Sequence, residues 1–130
     1  MGREPVLHLI DDDGAIRDAL GLAMALEGFD VRAHQSAENF LDTIQQDDRG
    51  CVVTDMRMPG MNGLDLLAAM NERGVVFPVI VITASDSVTE AVEVMKQGAF
   101  DYLKKPLDHG ALFASVRAAL ELPREVSEDN

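Results

Sequence analysis

Cys51-Val52-Val53-Thr54-Asp55-Met56-Arg57-Met58-Pro59-Gly60-Met61-Asn62-Gly63 is the stretch on which the fold turns. A short run of β-forming apolar residues leads into one carboxylate and then a Pro/Gly/Asn turn, the pattern of a buried strand that stops abruptly. Asp55 therefore stands at the carboxyl end of a strand. In open parallel α/β sheets, chemistry collects outside those ends, beside the point where strand order reverses. An Asp there also caps turns, so this stretch alone leaves both roles open.

Outward from it, the same grammar repeats. Val6-Leu7-His8-Leu9-Ile10 is a short apolar strand that runs into Asp11-Asp12-Asp13. Gly14 to Glu27 carries Ile16, Leu20, Ala23, Met24 and Leu26 at helical spacing and ends at Gly28. Phe29 to Ala33 alternates as a brief second strand, and Ser36 with Asn39 opens a helix bearing Phe40, Leu41 and Ile44. A polar loop, Gln45 to Gly50, leads into the central strand. Beyond the turn, Gly63 to Arg73 repeats Leu64, Leu67, Ala68 and Met70 at helical spacing and closes at Gly74. Phe77 to Ile82 is an almost uniformly β-branched strand ending at Thr83-Ala84-Ser85. Ser87 to Gln97 predicts a helix with Val88, Ala91, Val92 and Met95 inward. Ala99 to Leu103 gives a fifth strand, broken by Lys104-Lys105-Pro106, and Asp108 to Leu122 is the last helix. Five strands alternating with five helices on short connections predict a parallel sheet covered on both faces.

The chain fits one domain of 130 residues, with 1-122 as the folded unit and 123-130 as an acidic tail or the start of a linker. It has no apolar run long enough to span a bilayer, no apolar leader after Met1, and one cysteine, which precludes an intrachain disulfide. A cytoplasmic soluble protein is the expectation. A formal charge of −12 would repel a phosphate backbone, so these residues are not expected to bind nucleic acid. Cys51 lies in a buried run and reads as a small core residue.

Four strand ends carry polar residues of different kinds: Asp11 and Asp12, then Asp55, then Thr83, then Lys105. In a right-handed wound sheet these ends emerge along one edge. Three carboxylates crowded there repel one another unless a cation sits among them, and oxygen-only ligands suit Mg²⁺ (or Mn²⁺). Asp11 and Asp12 are candidate holders with Asp55 as the shared anion; capping or a solvated turn is the other role for the pair, and Asp13 is the expected cap of the following helix. Asp55 is then a candidate nucleophile toward phosphorus. Lys105 would offer a compact positive charge to phosphoryl oxygens, with Pro106 fixing its direction, and Thr83 a hydroxyl. Each has a plainer role as well: a solvated lysine like Lys104, a β-branched strand residue.

With these residues in place, the sequence resembles a response-regulator receiver domain of two-component signalling, over about Val6 to Leu122. The acidic pair matches Asp11 and Asp12, the phosphoacceptor matches Asp55 in Thr-Asp-Met-Arg-Met-Pro-Gly, the switch hydroxyl matches Thr83, the switch aromatic matches Tyr102 and the lysine matches Lys105 in Lys-Lys-Pro. His34-Gln35-Ser36-Ala37-Glu38 and the Met-Arg-Met-Pro turn look most like the FixJ type. The resemblance implies a flavodoxin-like (βα)5 doubly wound sheet of five parallel strands in the order 2-1-3-4-5. It implies Mg²⁺ held by Asp11, Asp12, Asp55 and the main-chain carbonyl of Arg57. It also implies phosphoryl transfer to Asp55 from a histidine kinase, a phosphotransfer protein or a small phosphodonor.

Thr83 would then be drawn to the phosphate while Tyr102 turns inward, repacking the Ser87–Gln97 helix against the fifth strand, near Val88, Val92, Met95 and Lys96. Such a face commonly pairs two receivers or controls an output domain, here of transcription. DNA would be bound only by a C-terminal domain outside these residues. The resemblance implies a signalling switch and not an enzyme, although one that would catalyse its own phosphoryl transfer and slow dephosphorylation. Aspartyl phosphatases need a second acid two residues past the nucleophile, where this chain has Arg57. Nucleotide or flavin binders need a Gly-rich turn after the first strand, where it has acids. The complete set of strand-end groups argues against a pure interaction module, and phosphorylation is the test that excludes one.

Overall fold

The computed structural model describes residues 5–44 and 49–121. The remaining expectations, the Gln45–Asp48 loop, the helix end at Leu122 and the tail from Pro123, lie outside the described residues. Strands β1 (Val6–Ile10), β2 (Val31–His34), β3 (Gly50–Asp55), β4 (Val79–Thr83) and β5 (Asp101–Lys104) alternate with helices α1 (Gly14–Leu26), α2 (Ala37–Thr43), α3 (Gly63–Arg73), α4 (Val88–Lys96) and α5 (His109–Glu121). The strands form one sheet, all pairs parallel, in the order β2-β1-β3-β4-β5. This is the flavodoxin-like doubly wound sheet expected from the sequence.

Side chains alternate across the strands and separate into two cores. Leu7 and Leu9 of β1, with Cys51 and Val53 of β3, meet Leu20 and Met24 of α1 and Leu112 and Val116 of α5. On the other face Ile10 and Val52 meet Phe40 of α2, Leu66 and Met70 of α3 and Val94 of α4. Strands buried on both faces are largely apolar, which is why β1, apart from His8, and β4, up to Thr83, read as near-continuous apolar runs. Phe40 is fully buried; sequestering such a side chain stabilises by about 1.5–3 kcal/mol relative to exposure.

Local chemistry sets the boundaries. Asp13 caps α1, accepting from the Ala15 and Ile16 amides, and Ser36 caps α2 through the Asn39 amide. Asp108 Oδ1 accepts from Gly110 and Ala111 at the start of α5. Gly50 enters β3 at φ 146°, with the position a Cβ would take only 1.9 Å from the Val6 carbonyl oxygen, so β1 and β3 come together there because residue 50 has no side chain.

Several expectations shift. β2 begins at Val31, not Phe29, and β5 at Asp101, not Ala99; Phe29 and Ala99 instead follow the glycines that terminate α1 and α4 and bond back to Met24 and Val94 carbonyls. In α1, Leu20 and Met24 are buried but Ile16 and Leu26 are exposed. In α3, Ala68 is exposed and Leu66 takes its place in the core. The largest correction concerns α4. Val88, Val92 and Met95 are exposed, and Val94 is the buried residue. A nine-residue helix with apolar groups on two faces offers two spacings, and packing against the sheet selected the one through Glu90, Ala91 and Val94.

A histidine pair ties the edge strand to its neighbour. His8 Nδ1 lies 3.0 Å from His34 Nε2, and both rings pack against Phe40. One ring must donate and the other accept, so the bond fails when both are protonated. Burial, and secondarily the nearby Arg32 charge, lower the His34 pKa. The unfolded chain thus takes up this proton at higher pH than the folded one. The contribution is intact above the ordinary value near 6.5 and is lost as pH falls through it toward the folded value.

Two outcomes follow. Between about pH 7.5 and about pH 5.5 the urea midpoint of the parent should fall more steeply than that of His34→Gln; parallel slopes would contradict the pairing. Gly50→Ala should lose about 1–3 kcal/mol or more in urea unfolding, and more than Gly28→Ala. Gly28 also has a positive φ, but a methyl group added there would meet nothing within 4 Å.

Candidate functional site

The ladder register brings the four strand ends to one edge. Ile10 pairs with Thr54, Asp55 with Ile82, and Thr83 with Lys104. Asp11 follows β1 immediately, Asp55 ends β3, Thr83 ends β4 and Lys105 follows β5. Carboxylate oxygens of Asp11, Asp12 and Asp55 come within 4.8 Å of one another. Lys105 Nζ lies 3.1 Å from Asp55 Oδ1, with the Lys105 side chain one-third exposed and that of Asp55 14% exposed. The Lys105–Pro106 peptide bond is cis.

Electrostatics at this edge are strained in one direction. Burial raises the Asp11 pKa, and the Asp55 and Asp12 charges raise it further. The Asp13 amide, donating to Asp11 Oδ1 at 2.9 Å, and Lys105 oppose that rise without cancelling it. A divalent cation would remove the repulsion that crowds these acids, and three carboxylates without nitrogen or sulfur ligands are a donor set for a hard cation. The residues present therefore fit a metal. Cys51, by contrast, is buried in the core and its thiol is pushed up to about 12, which leaves it without nucleophilic character.

Thr83 is fully buried at the end of β4. Its hydroxyl accepts from the Ser85 amide at 3.0 Å and donates to Glu90 Oε1 at 3.1 Å. Tyr102, half-buried on β5, donates its hydroxyl to the same Oε1 at 2.8 Å. Arg57, two residues past Asp55, donates from Nη2 to Glu90 Oε2 at 2.7 Å. So the switch candidates Thr83 and Tyr102 meet, and they meet at a residue the sequence reading did not single out. The available signal was Ser87-x-x-Glu90, whose capping-box spacing explains the glutamate without any further role. Lys104 pairs with Asp86 on the surface, the plainer role that Lys105 does not take.

Beside Asp55 lies a cleft of about 300 Å³. It is lined by Ile16, Ala19 and Leu20 of α1 and by Pro106, Leu107 and His109 beyond β5, together with Asp11, Asp55 and Lys105. It is therefore apolar on the helix side and charged on the strand-end side. No helix among the described residues is long and apolar enough to cross a membrane.

A wound sheet whose carboxyl edge gathers an acidic trio, a lysine and a buried hydroxyl defines a receiver-type module. The chain belongs to the response regulator receiver domain family, whose model matches residues 7–117. It is 50% identical over 114 residues to the transcriptional regulatory protein FixJ of Azorhizobium caulinodans, covering 88% of this chain and 54% of that protein. It is 45% identical over 122 residues to the C4-dicarboxylate transport transcriptional regulatory protein DctD of Pseudomonas aeruginosa, covering 93% of this chain and 26% of that one. Among solved structures, that of FixJ-N superposes with a TM-score of 0.87 at 35% identity, covering 95% of this chain and 99% of that one. The chain thus spans about half, or less, of the length of these curated relatives. Receivers of this family act with histidine kinases and output domains.

Metal binding is directly measurable. Mg²⁺ at ten times its dissociation constant should stabilise the parent by roughly 1.4 kcal/mol, read as a rise in melting temperature. Asp12→Asn and Asp55→Asn should each abolish most of that rise. An undiminished rise in both variants would place the cation elsewhere.

Proposed function

We propose that this domain, residues 1-122, accepts a phosphoryl group on Asp55 and uses it to repack the α4 and β5 face. The observation that carries the reading is the Lys105 ammonium 3.1 Å from an Asp55 carboxylate that also adjoins Asp11 and Asp12. Asp55 supplies the oxygen that attacks phosphorus. The bond from phosphorus to its donor nitrogen or oxygen breaks as the new P–O bond forms, giving an aspartyl phosphate. The leaving group departs with the electron pair and takes up a proton. Lys105 stabilises charge on the phosphoryl oxygens during transfer. Asp11, Asp12, Asp55 and the Arg57 main-chain carbonyl would hold Mg²⁺ or Mn²⁺, which neutralises the repulsion between carboxylate and phosphoryl group. The chain is then a switch that catalyses its own modification, and not an enzyme acting on a separate product.

Thr83 is buried next to the site and carries a hydroxyl proton that the new phosphoryl oxygens attract. Its movement, followed by that of Tyr102, transmits the event to α4. The exposed stripe Val88, Val92 and Met95 supports a role for that face in pairing two receivers or in contacting an output domain. The apolar cleft between α1 and the Pro106–His109 segment supports docking of a histidine kinase or phosphotransfer protein beside Asp55. The relatives are transcriptional regulatory proteins. We therefore take the output to be transcriptional, through a DNA-binding domain outside these residues, in the cytoplasm, with 123-130 as acidic tail or linker. The strongly negative charge of the chain supports leaving nucleic acid to that other domain.

Incubation with Mg²⁺ and acetyl phosphate should add one phosphoryl mass to the parent and none to Asp55→Asn. Lys105→Ala should be modified at least tenfold more slowly, the scale of losing one aligned charge in the transition state. Equal modification of Asp55→Asn would move the acceptor elsewhere, and no modification of the parent by either acetyl phosphate or a phosphorylated kinase would remove the reading.

A further inference from the structure

Glu90 is not needed to attack phosphorus, to hold a cation or to cap its helix, yet three side chains converge on it. Ser87-x-x-Glu90 has the spacing of a capping box, in which the glutamate reaches back to the serine amide. In α3 that box closes on both sides through Asn62 and Asp65. In α4 it closes on one side only. Ser87 Oγ accepts from the Glu90 amide at 3.1 Å, but the Ser87 amide donates to Ser85 Oγ at 3.0 Å. The Glu90 carboxylate, its side chain only 9% exposed, is thereby released for Thr83, Tyr102 and Arg57.

We propose that Glu90 is a positioning residue, a latch that holds the Thr83 and Tyr102 hydroxyls in the resting arrangement and so sets how readily Asp55 modification throws the switch. The proposal rests on the reading of Asp55, Thr83 and Tyr102 given above. A hydroxyl has one proton. While Thr83 donates it to Glu90 Oε1 it cannot donate it to a phosphoryl oxygen, and Tyr102 cannot leave without surrendering its own bond to the same atom. Because both bonds end on one oxygen, the two hydroxyls are held, and released, through a common partner. The Arg57 ion pair ties that carboxylate to the loop that follows Asp55. Contacts made only at rest stabilise the resting state and weaken apparent binding of anything that needs the other one.

The chain has one tyrosine and no tryptophan, so phenolate absorbance and tyrosine fluorescence report on Tyr102 alone. Beryllofluoride with Mg²⁺, which seats on a carboxylate as a phosphoryl mimic, is titrated into the parent, Glu90→Gln and Glu90→Met. The latch predicts that Glu90→Met binds the probe at about tenfold lower concentration than the parent, within the usual range of such couplings. Glu90→Gln, which keeps an acceptor oxygen but loses the charge, should fall between. In the resting proteins without metal, Tyr102 should ionise at lower pH in Glu90→Met, because its phenol is raised by burial and then by the Glu90 carboxylate. Equal probe affinity in parent and Glu90→Met would overturn the latch, including where the variant has merely lost thermal stability. A parent that does not bind the probe at all would overturn the receiver reading itself, and the latch with it.

Discussion

Crowding of like charge at one edge of a parallel sheet is the constraint from which the rest follows. Three carboxylates sit where a parallel register aligns the ends of neighbouring strands, and the cost is visible in Asp11, whose carboxyl is pushed up by burial and by its acidic neighbours. Such an arrangement is tolerable only beside positive charge. Lys105 supplies one at 3.1 Å, and the oxygen-only donor set fits a divalent cation for the remainder. The same charge balance supports Asp55 as the proposed acceptor, since a phosphoryl group would arrive at an edge already built to hold extra negative charge.

The edge is also mechanically connected. Thr83 is buried at the end of β4, and Tyr102 pairs beside it on β5, with Val81 opposite Tyr102 in the ladder. Both hydroxyls reach Glu90 on α4, while Arg57 binds the same carboxylate from the loop after Asp55. Thus one side chain joins β4, β5, α4 and the phosphoacceptor loop. On the proposed reading, a change at Asp55 that recruits the Thr83 proton would alter what Glu90 holds, and α4 would carry that change to its exposed Val88, Val92 and Met95 face.

Most of the fold was legible because strand ends are written in residue chemistry. Apolar runs stopped by Asp, Thr or Lys-Pro gave four strands and their polarity, the alternation of Phe29 to Ala33 gave the other, and Asp13 and Ser36 acted as caps as their positions suggested. The clustering of Asp11, Asp12, Asp55, Thr83 and Lys105 was legible for the same reason: each stands at or just past a strand end, and a parallel ladder leaves those ends little choice of position. Tyr102, within β5, and Arg57 were singled out only by the resemblance. The α4 face was not legible. Two apolar spacings compete within nine residues, and only packing against Ala99 and the strand core decides that Val94 goes in and Val92 stays out. Glu90 escaped notice because the Ser87-x-x-Glu90 spacing suggests a local capping role, which its carboxylate does not take. Its three partners lie 7, 12 and 33 residues away in sequence, and that convergence is tertiary.

The central claim is that chemistry at Asp55 is coupled to α4 and β5 and not to the sheet as a whole. Amide hydrogen exchange, with and without beryllofluoride and Mg²⁺, tests it most directly. The account predicts altered exchange at the Asp55–Arg57 loop and through 84–104, with β2, α2 and the core of α5 unchanged. A change confined to the strand ends around Asp11 and Asp55, with α4 exchanging as before, would contradict it.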